Sequence, residues 1–114
     1  MRQDEATLLD IAQAARLIRV FIGDMAKQDF FDDLKTQSSV LYQLLVIGEA
    51  VKRLSSEFRA QQVDIPWPLI AGMRDHLIHA YDTIDWDEVW KTATSDVPDL
   101  LAKIEPLLPK KPAG

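Results

Sequence analysis

Both histidines of this 114-residue chain fall in one short segment that also carries an arginine, an aspartate and a tyrosine. The segment reads RDHLIHAY and runs from Arg74 to Tyr81. A histidine can carry protons near neutral pH, and an arginine can bind phosphate oxygens through its planar, permanently charged guanidinium. Metal-free cleavage of RNA needs both groups: a proton carrier for the ribose 2′-OH and the leaving 5′ oxygen, and a cation for the charge that develops on phosphorus.

The spacing of these residues leaves other interpretations open. In most proteins an Arg–Asp–His cluster on a helix is a solvated face or a structural network of ion pairs. His76 and His79 also have the i, i+3 spacing of a metal pair, although the chain has no cysteine and no obvious third ligand. On a regular helix Arg74 and His79 would point about 140° apart, so they border one cleft if the helix loosens near its end.

The composition predicts one ordinary globular domain. The chain is 47% hydrophobic and 27% charged, and no run of residues has the length and apolar character of a membrane span. Acidic residues occupy the start of the sequence, where a signal peptide would be basic and then apolar, so we expect a cytoplasmic protein. The net charge of −5 argues against a stable nucleic-acid binder and favours a brief contact with RNA or a basic protein partner.

Helical periodicity accounts for nearly the whole chain. Apolar residues three and four apart predict a first helix, and Thr36 is the predicted N-cap of a second. Asp85 and Glu88 have the spacing of a capping box, and Pro98 is expected to kink or restart the helix that they begin. The four predicted helices span residues 4–27, 36–54, 68–81 and 85–107. We therefore predict an all-α, antiparallel four- to five-helix bundle over residues 1–108, followed by a frayed tail at 109–114.

The second predicted helix is apolar on more than one face, which is typical of a helix that is central or shared with a second subunit. Gly48 in its middle costs about 1 kcal/mol relative to alanine, so we expect another helix to pack closely there. Glu49 needs a partner if it is buried, and Arg74 is one option.

Several strings in the chain resemble the HepT-like branch of the HEPN superfamily. The resemblance extends over nearly the whole chain and is much more specific than the short Arg-to-His motif alone. The principal matching strings are IGEAVKRLS at 47–55, IPW at 65–67, GMRD at 72–75 and LIHAY at 77–81. Shorter matches are LDI at 9–11, KTQ at 35–37, VW at 89–90 and DVP at 96–98.

The resemblance implies an all-α homodimer of HEPN type, in which two Arg-x4-His motifs line one cleft and cleave RNA without a metal or cofactor. It implies that Arg74 and His79 are catalytic and that Asp75 orients one of them. Glu49 would support the site from the second helix. His76 does not match the family's catalytic histidine and is interpreted as auxiliary or structural.

The resemblance also implies a biological context. A HepT-like protein is the toxin of a type VII toxin–antitoxin pair and acts on tRNA or mRNA. Its partner, a minimal nucleotidyltransferase (MNT) antitoxin, would neutralise it by attaching AMP to the tyrosine two residues after the histidine, here Tyr81. We expect no binding to DNA or membranes. The alternative is a non-catalytic helical module that docks a nucleotidyltransferase partner or a nucleotide. The intact Arg74/His79 pair favours the nuclease, and the net charge of −5 favours the module.

Overall fold

The computed structural model describes residues 2–79 and 83–109. These residues are almost entirely helical, which confirms the predicted all-α class. The elements are α1 (Arg2–Ile22), α2 (Lys27–Phe31), α3 (Leu34–Arg53), α4 (Ser56–Gln61), α5 (Trp67–Ala71), α6 (Met73–Leu77), β1 (Ile78–His79), β2 (Thr83–Ile84), α7 (Trp86–Lys91), a π-helical turn (Thr92–Asp96), α8 (Val97–Ile104) and a 3₁₀ turn (Glu105–Leu107). The third predicted helix is divided into α5 and α6, and the fourth into α7, the π-helical turn and α8, so the described residues form more helical segments than the four or five predicted. None of the described helices is long and apolar enough to cross a membrane.

The two long helices, α1 and α3, pack against each other in antiparallel fashion. The carboxylate of Asp4, at the start of α1, accepts hydrogen bonds from the backbone N–H and the hydroxyl of Ser55, just after the end of α3. These two donors hold the pKa of the Asp4 carboxyl below its usual value. The buried faces repeat at three and four residues and include Leu8, Ile11, Ala15 and Ile18 on α1 and Val40, Leu44, Ile47 and Val51 on α3.

The start of α3 differs from the prediction. The N-cap is Asp33 and not Thr36, because the Asp33 carboxylate accepts the Thr36 N–H at 3.1 Å while the Thr36 hydroxyl donates to the same carboxylate at 3.0 Å. An aspartate accepts the orphan N–H groups of a first turn as well as a threonine does, and here it lies three residues earlier. The preceding stretch contains the short helix α2. Its Phe30 is fully buried.

The segment after α5 also departs from the prediction. A single helix over 68–81 is wrong, because the helix is interrupted at Gly72 and ends at Leu77. Ile78 and His79 are extended and pair in antiparallel fashion with Ile84 and Thr83. The Leu77 carbonyl, which a longer helix would have used internally, accepts the Asp85 N–H at 2.9 Å. A two-residue strand is too short to show alternation, so the apolar residues of α5 and α6 suggested one continuous helix.

Helix α7 begins at the predicted N-cap, since Asp85 accepts the Glu88 N–H at 3.1 Å. The reciprocal half of the predicted capping box is not formed, because the Asp85 N–H donates to the Leu77 carbonyl and the Glu88 carboxylate contacts His76. Helix α7 is held to the core by its buried Val89 and by the Phe30 ring, which contacts Trp86 and Trp90 with centroids 6.3 and 5.2 Å away. The predicted disturbance at Pro98 takes the form of the π-helical turn before α8. Because proline has no N–H and clashes with the carbonyl four residues earlier, the regular helical pattern cannot pass through this point.

Candidate active site

Arg74 lies on α6, and its position is set by the close packing of α5 and α6 against α3. Gly48 makes this packing possible, as predicted, because a Cβ there would lie 3.2 Å from the Ile70 carbonyl oxygen and 3.7 Å from Cβ of Met73. The Arg74 side chain is exposed and lines a cleft of about 280 Å³ between α3 and the α5–α6 segment. The other residues that line this cleft are Leu45, Gly48, Glu49, Lys52 and Ala71.

Glu49 lies in the same cleft, but it is neither buried nor paired with Arg74. Its side chain is 65% exposed, and its carboxylate contacts Nζ of Lys52 at 2.8 Å. The hydrogen bond and charge of Lys52 hold the pKa of Glu49 below its usual value, with smaller contributions from the charges of Arg53 and Arg74. Glu49 therefore brings negative charge near Arg74 without binding its guanidinium, and Lys52 is the partner that the sequence analysis missed.

Arg74 forms none of the ion pairs found among residues 2–79 and 83–109. The same holds for Asp75, which is exposed and was expected to orient Arg74 or His79. An arginine whose N–H donors are not engaged by a carboxylate can bind a phosphate through two parallel hydrogen bonds. The described part of the chain thus leaves the Arg74 fork available to an anion.

His79 lies on β1, outside the helix that carries Arg74. Its side chain is 55% exposed, and Nε2 lies 3.7 Å from Oδ2 of Asp85. The predicted angle of 140° between Arg74 and His79 does not apply, because the helix ends between them. The helix ends between the two residues, as a shared cleft would require, but His79 is not among the described residues that line the cleft of Arg74.

His76 contacts a second carboxylate at the start of α7, that of Glu88. Its Nε2 lies 2.9 Å from Oε2 of Glu88, in the first turn of α7. Glu88 was predicted as part of a capping box, and its contact with His76 was missed. The sequence carries a signal for this contact. The two histidines are three residues apart, Asp85 and Glu88 are also three residues apart, and the chain reverses between the two pairs. A reversal of this kind brings the inner pair and the outer pair opposite each other.

No group of three or more potential ligands arranged to hold a metal ion occurs within the described ranges. The i, i+3 histidine pair considered from the sequence instead has each Nε2 directed to a different carboxylate. Tyr81, the predicted site of modification, lies outside the described residues. The described residues thus provide a guanidinium at a cleft, with no carboxylate partner among them, and an exposed imidazole beside the carboxylate of Asp85.

Comparison with known proteins gives a consistent result. The model of a protein family described as "Ribonuclease HepT-like" matches residues 11–107. A protein named "Probable ribonuclease HepT" from Thermococcus cleftensis is 42% identical over 106 residues, which cover 93% of this chain and 96% of that protein. A "Putative RNase" from Caldanaerobacter subterraneus subsp. tengcongensis is 32% identical over 111 residues, which cover 97% and 99% of the two chains. No solved structure gives a significant match.

Proposed function

The chain belongs to the HepT-like ribonuclease family, and on this premise we propose that it is the RNA-cleaving toxin of a type VII toxin–antitoxin pair. The proposed reaction is metal-independent cleavage of tRNA or mRNA through the Arg-x4-His motif of Arg74 and His79. The observation that carries the assignment of the site is the exposed guanidinium of Arg74, which lines the cleft between α3 and α5–α6 and has no carboxylate partner among the described residues.

In the proposed mechanism His79 exchanges protons and Arg74 stabilises charge. A histidine takes the proton of the ribose 2′-OH, and the 2′ oxygen attacks phosphorus. The bond from phosphorus to the 5′ oxygen breaks, and that oxygen receives a proton. The products are a 2′,3′-cyclic phosphate and a 5′-hydroxyl, with no oxidant or added water required. Arg74 binds the non-bridging oxygens while they carry extra negative charge.

Two proton transfers are served best by two histidines, and this is one reason to propose a homodimer. One copy supplies a single His79, so a twofold axis beside the cleft would place the same histidine of the second copy across from it. The outer face of α3 supports this arrangement, because Tyr42 is 64% exposed and the half-buried Leu45 lines the cleft with Arg74. Apolar side chains left exposed on a helix gain free energy when a second copy covers them.

Neutralisation by an MNT antitoxin completes the proposal. Tyr81 follows His79 by two residues, so an AMP group on its hydroxyl would bring a bulky anion close to the motif. Its phosphate would compete with RNA for the guanidinium of Arg74 and repel the incoming backbone. Asp75 remains proposed as a supporting residue, and Glu49 contributes negative charge at the cleft.

A non-catalytic module that docks a nucleotidyltransferase or a nucleotide is the second candidate. It is favoured by the net charge of −5, which gives RNA little long-range attraction to the chain. The two candidates differ in what they predict for His79→Ala. The nuclease loses RNA cleavage and toxicity while it keeps its fold, whereas the module is unaffected.

The deciding experiment compares the unmodified chain with His79→Ala and His76→Ala in cleavage of total cellular RNA in the presence of EDTA. The mass of the Tyr81 peptide is measured first, so that a modified sample is not taken for an inactive enzyme. His76→Ala is the matched control, since it removes the neighbouring histidine that pairs with Glu88. We expect 2′,3′-cyclic ends from the parent and the control and none from His79→Ala. Absence of cleavage by unmodified, folded protein would refute the nuclease.

A further inference from the structure

We propose that Asp85 is the positioning residue of His79: its carboxylate faces Nε2 of the imidazole, favours the proton on that nitrogen and leaves Nδ1 as the nitrogen that exchanges protons with RNA. The catalytic part of this inference rests on the proposed function, whereas the orientation of the ring can be tested without RNA.

The two oxygens of the Asp85 carboxylate have separate roles in the structure. Oδ1 accepts the Glu88 N–H at 3.1 Å and so caps helix α7. Oδ2 lies 3.7 Å from Nε2 of His79. An isolated surface carboxylate would rotate freely, but here the capping hydrogen bond fixes the plane of the group and directs the second oxygen to the histidine.

The backbone of Asp85 is fixed as well. Its N–H donates to the Leu77 carbonyl at 2.9 Å, directly beside the β1–β2 pairing that carries His79. Helix α7 is in turn anchored by the fully buried Val89. The carboxylate is therefore attached to a rigid helix start, while the imidazole is on a two-residue strand, so it is the carboxylate that can set the orientation of the ring.

Two other carboxylates near the histidines do not serve this role. Glu88 is engaged by His76 at 2.9 Å. Asp75 forms no hydrogen bond or ion pair with His79 among the described residues, although the sequence had suggested it as the orienting group. Asp85 is thus the one described carboxylate within ion-pair distance of His79.

A carboxylate that faces one ring nitrogen favours the tautomer with the proton on that nitrogen. With Nε2 protonated and directed to Asp85, the lone pair of the neutral ring is on Nδ1, which can take the 2′-OH proton. The distance of 3.7 Å is longer than a hydrogen bond, and catalytic contacts of this kind commonly shorten when substrate binds.

Asp85→Asn tests the inference because it changes the charge while the cap is kept. Asparagine is as good an N-cap as aspartate, so its oxygen is expected to accept the Glu88 N–H while its amide N–H₂ faces His79. That amide donates to Nε2 and favours the opposite tautomer. Asp33→Asn is the matched control, since it makes the same change at the N-cap of α3, where the carboxylate contacts Thr36.

The kinetic readout is cleavage of a short RNA at saturating and limiting concentrations. We expect Asp85→Asn to lower kcat by about 10- to 100-fold with little change in KM. A positioned proton carrier contributes roughly 10²- to 10⁴-fold to the rate, and loss of its orientation removes part of that factor. Asp33→Asn should keep kcat within about twofold, because surface substitutions away from a site have small effects. Equal kcat values for the parent and Asp85→Asn would overturn the inference while leaving the nuclease in place.

The structural readout is the tautomer of His79, measured by NMR of the ¹⁵N-labelled imidazole in the folded chain at a pH at which the ring is neutral. We expect Nε2–H in the parent and in Asp33→Asn, and a shift towards Nδ1–H in Asp85→Asn. An unchanged tautomer in Asp85→Asn would show that the carboxylate does not orient the ring. Because this measurement needs no RNA, it decides the inference even if the parent chain proves unable to cleave RNA.

Discussion

Replacing Gly48 by alanine tests whether the close approach of α5 and α6 to α3 fixes the position of Arg74. The added Cβ would lie 3.2 Å from the Ile70 carbonyl oxygen, so that neighbour would have to move by a few tenths of an ångström. Because the Ile70 carbonyl belongs to the backbone, the shift cannot be absorbed by a side-chain rotation. It must instead displace the segment that carries Arg74.

Two opposing contributions set the expected change in stability. Alanine in a helix interior is favoured over glycine by about 0.8–1 kcal/mol. Overpacking of a core costs about 1–3 kcal/mol. We therefore expect Gly48→Ala to lower the free energy of unfolding by about 1 kcal/mol and Tm by about 4 °C. Since displacements well below 1 Å impair a positioned site, RNA cleavage should fall by about three- to tenfold.

The assay is urea and thermal unfolding followed by circular dichroism, with cleavage measured on the same samples. Gly72→Ala is the control: its Cβ would lie 3.4 Å from the Pro68 carbonyl oxygen, and its φ of −88° suits any residue. We expect this control to gain about 0.4–1 kcal/mol, because alanine restricts the unfolded chain. If Gly48→Ala is instead more stable than the parent and cleaves RNA at the full rate, the explanation of Gly48 by close packing is refuted.

Three further predictions concern Arg74 and the carboxylates with lowered pKa values. Arg74→Lys keeps the charge but loses the two-pronged contact, so we expect kcat to fall by about tenfold or more in the RNA assay, and full activity would contradict phosphate binding by the fork. Asp4→Asn should lower the free energy of unfolding by about 1–3 kcal/mol in urea titrations, because the buried carboxylate binds both donors of Ser55; an unchanged midpoint would contradict this role. In the folded chain the pKa values of the Asp4, Asp33 and Glu49 carboxyls are lowered from the usual 3.8, 3.8 and 4.5. These carboxylates therefore stabilise the fold at any pH above their usual pKa values, and the stability is lost as the pH falls through the lower folded-state pKa values. Thermal unfolding between about pH 6 and pH 2 should therefore show a falling Tm, with a smaller fall in Asp4→Asn, and parallel curves would argue against the contribution of Asp4.

The sequence alone determined the features that depend on neighbours along the chain. The repeat of apolar residues at three and four positions is enough to predict the helical class and the buried face of α1. Asp85 could be identified as an N-cap because capping involves residues within one turn. Gly48 could be linked to a close helix contact, since glycine in a helix interior is otherwise unfavourable. The eight-residue segment with both histidines could be singled out by residue type alone.

The tertiary structure decided where those side chains point and what they meet. The end of α6 at Leu77 depends on the Asp85 N–H, which is supplied by a segment beyond the chain reversal. The same reversal places the carboxylate of Asp85, and not the one expected at Asp75, 3.7 Å from Nε2 of His79. Helical periodicity cannot encode this contact. The exposure of Glu49 likewise follows from which face of α3 is covered by α1 and α5. Helix rules act over about four residues, whereas these contacts join positions brought together only by packing of the core, and so they could be found only in the folded chain.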